Sequence, residues 1–286
     1  MSATPSRLPL TGRALTHPLL RKLLARPSAA VMGVLNVTPD SFSDGGQFYA
    51  PGPAIRHAQR LVSDGADIID VGAESTRPYG GASPVSEDEE IRRLKPILRE
   101  VVKLGVPVSI DSMKAKVVAF ALEAGSAIAN DVWGLQRDPE MAAVVAAHDI
   151  PVIVMHNRDA ADPAIDIMKD IADFFARSLD IAAKAGIAAG NIVLDPGIGF
   201  GKTAEQSMIA LARLEQLKAF GLPILVGASR KRFIASVGPA EAEERLGGSI
   251  AAHLIAVQRG AAIIRAHDVA ETVQALRLAA AIEEKR

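Results

Sequence analysis

Polar residues able to do chemistry follow a series of apolar, strand-like runs along this chain of 286 residues. The richest stretch begins at Asn36, directly after the apolar run Ala30–Leu35, and continues through Asp and Gly residues to Gly46. An acid, amide or base stands in the same place after other runs: Asp70, Asp111, Asn130, Asp131, His156, Asn157, Asp195, Arg230, Lys231, Arg265 and His267. Strands that end in such residues deliver them to a rim, where loops usually carry function.

Two kinds of ligand suit these residue types. Carboxylates and amides such as Asp111, Asn130 and Asp195 match the mixed donors and acceptors on the edge of a flat heterocycle. Cations such as Arg77 and Arg265, beside loops that contain Gly, suit a phosphate or a pyrophosphate. The sequence therefore predicts a bipolar site, with an anion pocket at one end and a heteroaromatic slot at the other.

Several other classes of chemistry are disfavoured. The chain has no cysteine, which excludes disulfides, thiolate catalysis and cysteine-ligated metals. It has no Gly-x-Ser-x-Gly elbow, and its histidines lack the spacing of a structural zinc site. Gly201-Lys202-Thr203 resembles the end of a phosphate-binding P-loop, but Pro196 stands where that motif needs glycine, which argues against an NTPase.

Eight apolar runs alternate with eight helix-like segments and would position these residues. The runs are Ala30–Leu35, Ile68–Val71, Val106–Ile110, Ala127–Ala129, Val152–Met155, Ile192–Leu194, Ile224–Val226 and Ala262–Ile264. The helix-like segments are Pro53–Ser63, Glu87–Lys103, Lys114–Glu123, Pro139–Ala147, Ala164–Ala185, Ala204–Ala219, Glu241–Arg259 and Val269–Glu284. The helices are predicted from apolar spacing, as for Ile91, Leu94 and Leu98 on one face.

Strict alternation of strands and helices implies parallel strands joined by right-handed crossovers. A closed (β/α)8 TIM barrel leaves no edge strand and fits this chain length, so we predict one α/β barrel domain over residues 30–286. A doubly wound open sheet is the alternative. In a barrel the carboxyl ends of all strands meet at one mouth, which would gather the polar residues into one site.

Composition limits the partners and the location. The net charge is −1, which does not suggest a nucleic acid or a membrane surface as partner, and no apolar run approaches the ~20 residues of a membrane span. The absence of cysteine fits a reducing compartment, and we expect a cytoplasmic protein. Residues 1–29 form a basic extension, with one helical turn expected around Leu19 to Leu24. A targeting segment is the alternative for this extension.

Seven sequence blocks, in order and at predicted strand ends, resemble the dihydropteroate synthase family. The blocks are Met32–Gly46, Asp67–Pro78, Ser109–Ser112, Asn130–Val132, Leu194–Lys202, Ser229–Lys231 and Arg265–Val269. The resemblance covers nearly everything from Val31 to the last helix. It implies a transferase of folate biosynthesis that condenses 6-hydroxymethyl-7,8-dihydropterin pyrophosphate with 4-aminobenzoate, giving 7,8-dihydropteroate and pyrophosphate.

The same resemblance implies a function for individual residues. The pterin would be held by Asp111, Asn130, Asp195 and Lys231. The pyrophosphate would be bound by Asn36, Thr76, Arg77, Arg265 and His267. The aminobenzoate pocket would be lined by Phe42, Thr76, Pro78 and Phe200, with Met155 as a further substrate contact. Within this set the expected catalytic residues are Asp111, Lys231, Arg265 and His267.

The family also implies a magnesium ion, a homodimer and sulfonamides as inhibitors. Mg²⁺ would accompany the pyrophosphate, with Asn36 as its protein ligand, since magnesium often bridges phosphates through few protein ligands. Two other functions stay open. Methyltetrahydrofolate-to-corrinoid methyltransferases share the pterin acids and amide, but have no use for a pyrophosphate pocket. A non-catalytic pterin-binding paralogue would be suggested by loss of Asp111, Lys231 or Arg265, and all three are present.

Some of the singled-out residues also have structural interpretations. Asp40 and Asp44 suit Asx turns, and Asp131 suits a helix cap. We favour Asp70 as a residue that orients a neighbour. Structural or solvated functions are favoured for four histidines, namely His57, His148, His156 and His253. Trp133 is left open between stacking on the pterin and packing under a loop.

Overall fold

Eight parallel strands close into a barrel. The computed structural model describes residues 17–37, 51–74 and 85–285. The strands are β1 (Ala30–Asn36), β2 (Ile68–Gly72), β3 (Val108–Asp111), β4 (Ile128–Asp131), β5 (Val152–Met155), β6 (Ile192–Asp195), β7 (Ile224–Val226) and β8 (Ala261–Ala266). Each strand pairs with the next, and β8 pairs with β1, Met32 lying opposite Arg265. The structure confirms the (β/α)8 barrel and excludes the open sheet.

Helices connect the strands and cover the outside of the barrel. They are α1 (Pro18–Leu24), α2 (Pro51–Ser63), α3 (Glu87–Leu94), α4 (Leu98–Val102), α5 (Ala115–Glu123), α6 (Met141–His148), α7 (Ile167–Ala185), α8 (Ala204–Ala212), α9 (Arg232–Ala235), α10 (Leu246–Gln258) and α11 (Val269–Glu283). Short 3-10 turns cover Ala189–Asn191, Leu214–Phe220 and Ala242–Glu244. No helix in the described parts of the chain is both long and apolar enough to cross a bilayer.

Three predicted helices differ from the observed ones, and α9 was not predicted. The segment Glu241–Arg259 begins as the 3-10 turn Ala242–Glu244, so α10 starts only at Leu246. The segment Glu87–Lys103 is divided into α3 and α4, because Pro96 has no N–H to continue the helical ladder. The predicted helix Ala204–Ala219 ends at Ala212, and its remainder tightens into a 3-10 turn from Leu214. None of these differences moves a strand end, so the polar residues stay at the mouth of the barrel.

The opposite end of the barrel is filled by an apolar layer, here called the floor. Its members are Leu20, Leu23, Ala30, Met32, Ile68, Ile128, Ile153, Val193, Leu225 and Ile263. Leu20 and Leu23 come from α1, the helical turn predicted around Leu19 to Leu24, and are almost fully buried. From residue 17 onward the predicted extension therefore packs against the barrel, whereas residues 1–16 lie outside the described residues.

Candidate active site

Strand periodicity places a polar layer directly above the floor. Side chains two residues apart lie on the same face of a strand, so each inward apolar residue is followed by a second inward residue nearer the mouth. These pairs are Ile68 and Asp70, Ile128 and Asn130, Ile153 and Met155, Val193 and Asp195, and Ile263 and Arg265. The structure thus brings together four of the predicted site residues and adds Asp70 to them.

Arg265 links two carboxylates across the barrel. Its Nε donates to Asp70 Oδ2 at 2.6 Å, and its NH2 group donates to Asp111 Oδ2 at 2.8 Å. Asn130 Nδ2 also donates to Asp70 Oδ2, at 3.1 Å. Asp70 is fully buried and orients both Arg265 and Asn130, which agrees with the interpretation that we favoured from the sequence.

Each of the two carboxylates keeps one oxygen without a partner. Asp70 Oδ1 and Asp111 Oδ1 are buried and accept no hydrogen bond within the described residues. Burial raises the pKa of Asp111 to about 7, against the attraction of Arg265 and with the repulsion of Asp70. An unpaired buried acceptor costs about 1–3 kcal/mol, so a ligand that donates to it gains affinity.

A second acid and base, Asp195 and Lys231, lie at the same mouth and attract each other electrostatically. The pKa of Asp195 is raised by burial, against the attraction of Lys231, and its Oδ1 accepts the Gly197 N–H at 2.8 Å. Burial lowers the pKa of Lys231 to about 8, against the attraction of Asp195. The Lys231 ammonium donates to the Ile198 carbonyl and lies 4.6 Å from the centre of the Phe200 ring. Acid, amine and aromatic ring together suit the edge and face of a heterocycle.

A cationic cleft lies at the ends of β1 and β8. It is lined by Val34, Asn36, Pro53, Arg56, His57, Arg60 and His267. His267 Nδ1 lies 3.0 Å from Ser229 Oγ, which fixes the ring at the end of β8. Arg56 and Arg60 were missed from the sequence, although their spacing of four residues places both on one face of α2. Two guanidinium groups beside Asn36 suit an anionic ligand.

Other predicted residues have structural contacts. Asp131 accepts the Trp133 N–H at 2.9 Å and the Leu135 N–H at 2.7 Å, so it caps the turn after β4. Arg137 lies over the Trp133 ring at 4.4 Å. Arg230 forms an ion pair with Asp268.

The histidines outside the mouth also have structural partners. His148 Nδ1 lies 2.9 Å from the backbone oxygen of Val144. His156 lies 3.0 Å from a carboxylate oxygen of Asp170, and both His156 and His253 are buried. His57 alone of these four lines the cleft.

Six predicted residues cannot be placed. Phe42, Thr76, Arg77 and Pro78, with Asp40 and Asp44, lie outside the described residues.

The donor set at the cleft fits magnesium held mainly by a substrate. Within the described residues no group of three His, Cys, Asp or Glu side chains forms a protein cage for a metal. Asn36 offers one carboxamide oxygen at the cleft, and oxygen is the ligand atom that Mg²⁺ prefers. One protein oxygen together with phosphates and water is an ordinary environment for this ion.

Comparison with known proteins identifies the family. Residues 32–267 match the sequence model of the pterin binding enzymes. The dihydropteroate synthase of Bacillus subtilis is 44% identical over 270 residues, covering 94% of each chain. The chain belongs to the dihydropteroate synthase family. Its members are transferases, and the closed barrel agrees with theirs.

Two solved structures of this family superpose closely. The dihydropteroate synthase of Clostridium difficile, crystallised in the presence of pteroic acid, has a TM-score of 0.86 and 48% identity, over 89% of this chain and 97% of that one. The enzyme of Xanthomonas albilineans, solved with 4-aminobenzoic acid, has a TM-score of 0.86 and 42% identity, over 91% and 94%.

Proposed function

We propose that the protein condenses 6-hydroxymethyl-7,8-dihydropterin pyrophosphate with 4-aminobenzoate, giving 7,8-dihydropteroate and pyrophosphate. The observation that supports this most strongly is the gathering of two charged groups at one mouth: Arg265 in salt bridges with Asp70 and Asp111, and Lys231 in electrostatic attraction to Asp195. Two solved relatives support the same substrates: the Clostridium difficile enzyme was crystallised in the presence of pteroic acid, and the Xanthomonas albilineans enzyme was solved with 4-aminobenzoic acid. The geometry offers both a heterocycle slot and an anion cleft, as the reaction requires.

The pterin half is assigned to Asp195, Asn130, Lys231 and Asp111. In this proposal Asp195 accepts paired N–H bonds from the 2-amino group and N3, while Lys231 approaches the carbonyl side of the ring. A heterocycle lacking those donors would leave the buried carboxylate unpaired, at a cost of about 1–3 kcal/mol per group. Met155, buried at the end of β5, closes the same layer as an apolar contact.

The pyrophosphate half is assigned to Asn36, Arg265 and His267, with Thr76 and Arg77 from the undescribed segment. Arg56 and Arg60 extend this cationic surface along α2. Asn36 is the residue proposed to hold Mg²⁺. When bound, the ion neutralises charge on the pyrophosphate.

The chemistry proposed is dissociative. The bond from the pterin methylene to oxygen breaks, its electron pair leaves with pyrophosphate, and the methylene cation is delocalised into the ring. Asp111 in its ionised form stabilises this positive charge, and Arg265 with His267 stabilises the leaving group. The neutral arylamine then attacks the methylene carbon and afterwards loses a proton, so no strong general base is required.

The second substrate is assigned to the aromatic side of the mouth. Phe200 lies beside Lys231. Phe42, Thr76 and Pro78, which lie outside the described residues, are assigned to the same substrate by the family resemblance. A sulfonamide, which resembles 4-aminobenzoate in shape, is expected to compete with that substrate and not with the pterin.

We further propose a cytoplasmic homodimer. The absence of cysteine fits a reducing compartment. An apolar surface on α10 and α11, where Ile255, Leu278 and Ile282 are exposed, suits a second copy of the chain.

Pyrophosphate release tests the function directly. The protein is mixed with the dihydropterin pyrophosphate and Mg²⁺, with and without 4-aminobenzoate. Release that depends on the arylamine, with dihydropteroate formed in equal amount, is the expected result. Binding of the pterin without any release would contradict the synthase and favour a non-catalytic paralogue.

A further inference from the structure

Lys202 is a buried lysine that does not belong to the cleft, and burial lowers the pKa of its ammonium group to about 7, against the attraction of Asp195. Only 2% of its surface is exposed. Its Nζ lies 2.6 Å from His156 Nδ1, 2.9 Å from the Gly197 carbonyl and 3.1 Å from the Phe200 carbonyl. An ammonium group has three donors and no acceptor, so these three partners use all of its hydrogen-bonding capacity.

The neighbouring side chains fix the direction of the hydrogen bonds. Asp170 Oδ2 accepts from Arg158 at 2.9 Å and lies 3.0 Å from His156 Nε2. A carboxylate only accepts, so His156 carries its proton on Nε2 and presents an unprotonated Nδ1 to Lys202. Burial lowers the pKa of His156 to about 3, which keeps the ring neutral. Hydrogen-bond donors and acceptors therefore match at every contact from Arg158 through Asp170 and His156 to Lys202.

The segment held by Lys202 contacts the pterin half of the mouth. In the same turn, the Gly197 N–H donates to Asp195 and the Ile198 carbonyl accepts from Lys231. The Phe200 ring lies 4.6 Å from the Lys231 ammonium. Three contacts to the Asp195–Lys231 pair thus depend on the conformation of this one turn.

The turn has little room to adopt another position. Gly197 has a φ of +64°, and a Cβ there would lie 1.9 Å from the His156 carbonyl oxygen. Gly201 has a φ of +54°, and its Cβ would lie 2.4 Å from Arg158 Cβ. The turn therefore packs directly on the segment that carries His156, and the Lys202 ammonium lies at this junction.

We propose that Lys202 is a positioning residue for the pterin half of the site, because its ammonium holds the 197–200 turn against His156 and so orients Lys231 and Phe200. This rests on the proposed function. It differs from the P-loop interpretation, in which the lysine would face a phosphate. It predicts that Lys202 supports pterin binding and leaves pyrophosphate binding unaffected.

The test compares two ligands in the same variants. Lys202→Met keeps the length of the side chain and removes all three donors. The dissociation constant of 6-hydroxymethyl-7,8-dihydropterin is expected to rise about tenfold, since buried acceptors lose their partners and the turn shifts. The dissociation constant of inorganic pyrophosphate with Mg²⁺ is expected to stay unchanged, and the KM for 4-aminobenzoate is expected to rise with that of the pterin.

Matched variants separate positioning from general damage. Lys184→Met removes an exposed ammonium paired with Asp180 and is expected to change neither constant. Lys202→Gln keeps two donors and is expected to give an intermediate loss; it also tests the proposal if Lys202→Met does not fold. Unchanged pterin binding, or equal losses for pterin and pyrophosphate, would overturn it. Absence of turnover in the unmodified protein would instead contradict the proposed function. The two outcomes can be told apart because the dissociation constants of pterin and pyrophosphate are measured by binding alone, without turnover.

Discussion

Arg265 is the residue whose replacement best separates the two halves of the site. Its guanidinium bridges Asp70 and Asp111 beside the proposed pyrophosphate pocket. In Arg265→Ala, pyrophosphate binding should weaken by about 1.5–3 kcal/mol, the range for a hydrogen bond to a charged group, whereas binding of a free pterin should weaken far less. Calorimetric titration with each ligand measures both values.

An exposed arginine provides the control for this prediction. Arg259 pairs with Glu215 at the protein surface, so Arg259→Ala should leave both ligands unaffected. Loss of Arg265 also leaves two buried carboxylates without a cation, and the free energy of unfolding should fall by about 3–5 kcal/mol. Equal losses for both ligands would contradict the assignment of Arg265 to the pyrophosphate.

The ionisation of Asp111 should control the pH dependence of the reaction. Burial raises the pKa of this carboxyl in the folded protein from 3.8 to about 7. The proposed mechanism needs the ionised form, so kcat/KM should fall as the pH decreases through about 7. Asp111→Asn should remove that step and reduce kcat/KM by about 10²–10³-fold, as for loss of one preorganised electrostatic contact.

The free energy of unfolding should change with pH in the opposite direction to kcat/KM. Between pH 3.8 and about 7 the folded chain holds a proton on Asp111 that the unfolded chain has lost. The contribution of this group to the free energy of unfolding is therefore largest at low pH and is lost as the pH rises through about 7. Urea unfolding of the original protein and Asp111→Asn across this range measures the difference; parallel pH curves would contradict the raised pKa.

At the residue scale, the sequence predicted where the polar side chains of the mouth lie better than it predicted which side chains they pair with. Asp111, Asp195 and Arg265 were found because each follows an apolar run. That Arg265 pairs with Asp70 could not be predicted, since the two lie 195 residues apart and the pairing depends on how β8 closes on β1. The burial of Lys202 could not be predicted either, because a lysine after a glycine-containing turn is typical of an exposed loop.

At the element scale, Glu74 joins the two ends of the segment 75–84. Its Oε1 accepts the Val85 N–H at 2.9 Å, and its Oε2 accepts from Lys114 at 2.6 Å. Lys114 also donates to Glu90, which is fully buried. Glu74 thereby joins the two residues that flank the segment containing Thr76 and Arg77, and links them through Lys114 to α3.

Replacing Glu74 should therefore weaken binding of the dihydropterin pyrophosphate. In Glu74→Ala both contacts are lost, and the dissociation constant should rise about tenfold, as expected for a buried hydrogen bond to a charged group. Glu74→Gln keeps an acceptor for Val85 and should show a smaller loss. Glu100→Ala, at an exposed pair with Lys103, is the control for removing a carboxylate. Wild-type affinity in Glu74→Ala would show that the tie has no effect on the substrate.

The sequence predicted the elements well where periodicity was strong and poorly where local backbone chemistry decided. Every strand was found, because buried parallel strands are continuous apolar runs. The interruption at Pro96 and the tightening after Ala212 do not disturb the apolar spacing, so periodicity alone extended both helices. Packing of α1 on the floor depends on Leu20 and Leu23, whose fit to the barrel interior appears only in three dimensions.

At the scale of the whole molecule, closure explains how distant residues form one site. The chain alternates strands and helices, and β8 pairs with β1, so all strand ends converge without an edge strand. The inward pattern of an apolar residue followed two positions later by a polar one then separates a stabilising floor from a reactive mouth. Residues 38–50 and 75–84 lie outside the described residues, and strand periodicity does not predict which contacts they make.

The closed sheet also determines how two copies of the chain can associate. A barrel has no edge strand to pair, so association must use helix surfaces. Leu278 and Ile282 on α11 are 62% and 61% exposed, and α11 packs beside α10, where Ile255 is also exposed. Burying one such side chain contributes about 1.5–3 kcal/mol, so these residues could hold a dimer together.

Charging this surface should therefore dissociate the proposed dimer into monomers. Leu278→Asp combined with Ile282→Asp removes apolar contact and places two like charges from each copy at the interface, so the dimer dissociation constant should rise at least about a hundredfold. Sedimentation equilibrium over a range of concentrations measures it. Val237→Asp charges a more exposed apolar residue beyond α9 and should leave the dimer intact. Since each mouth is built from the strand ends of one chain, the monomer should bind the pterin as the dimer does; a double variant that remains dimeric would place the interface on another face.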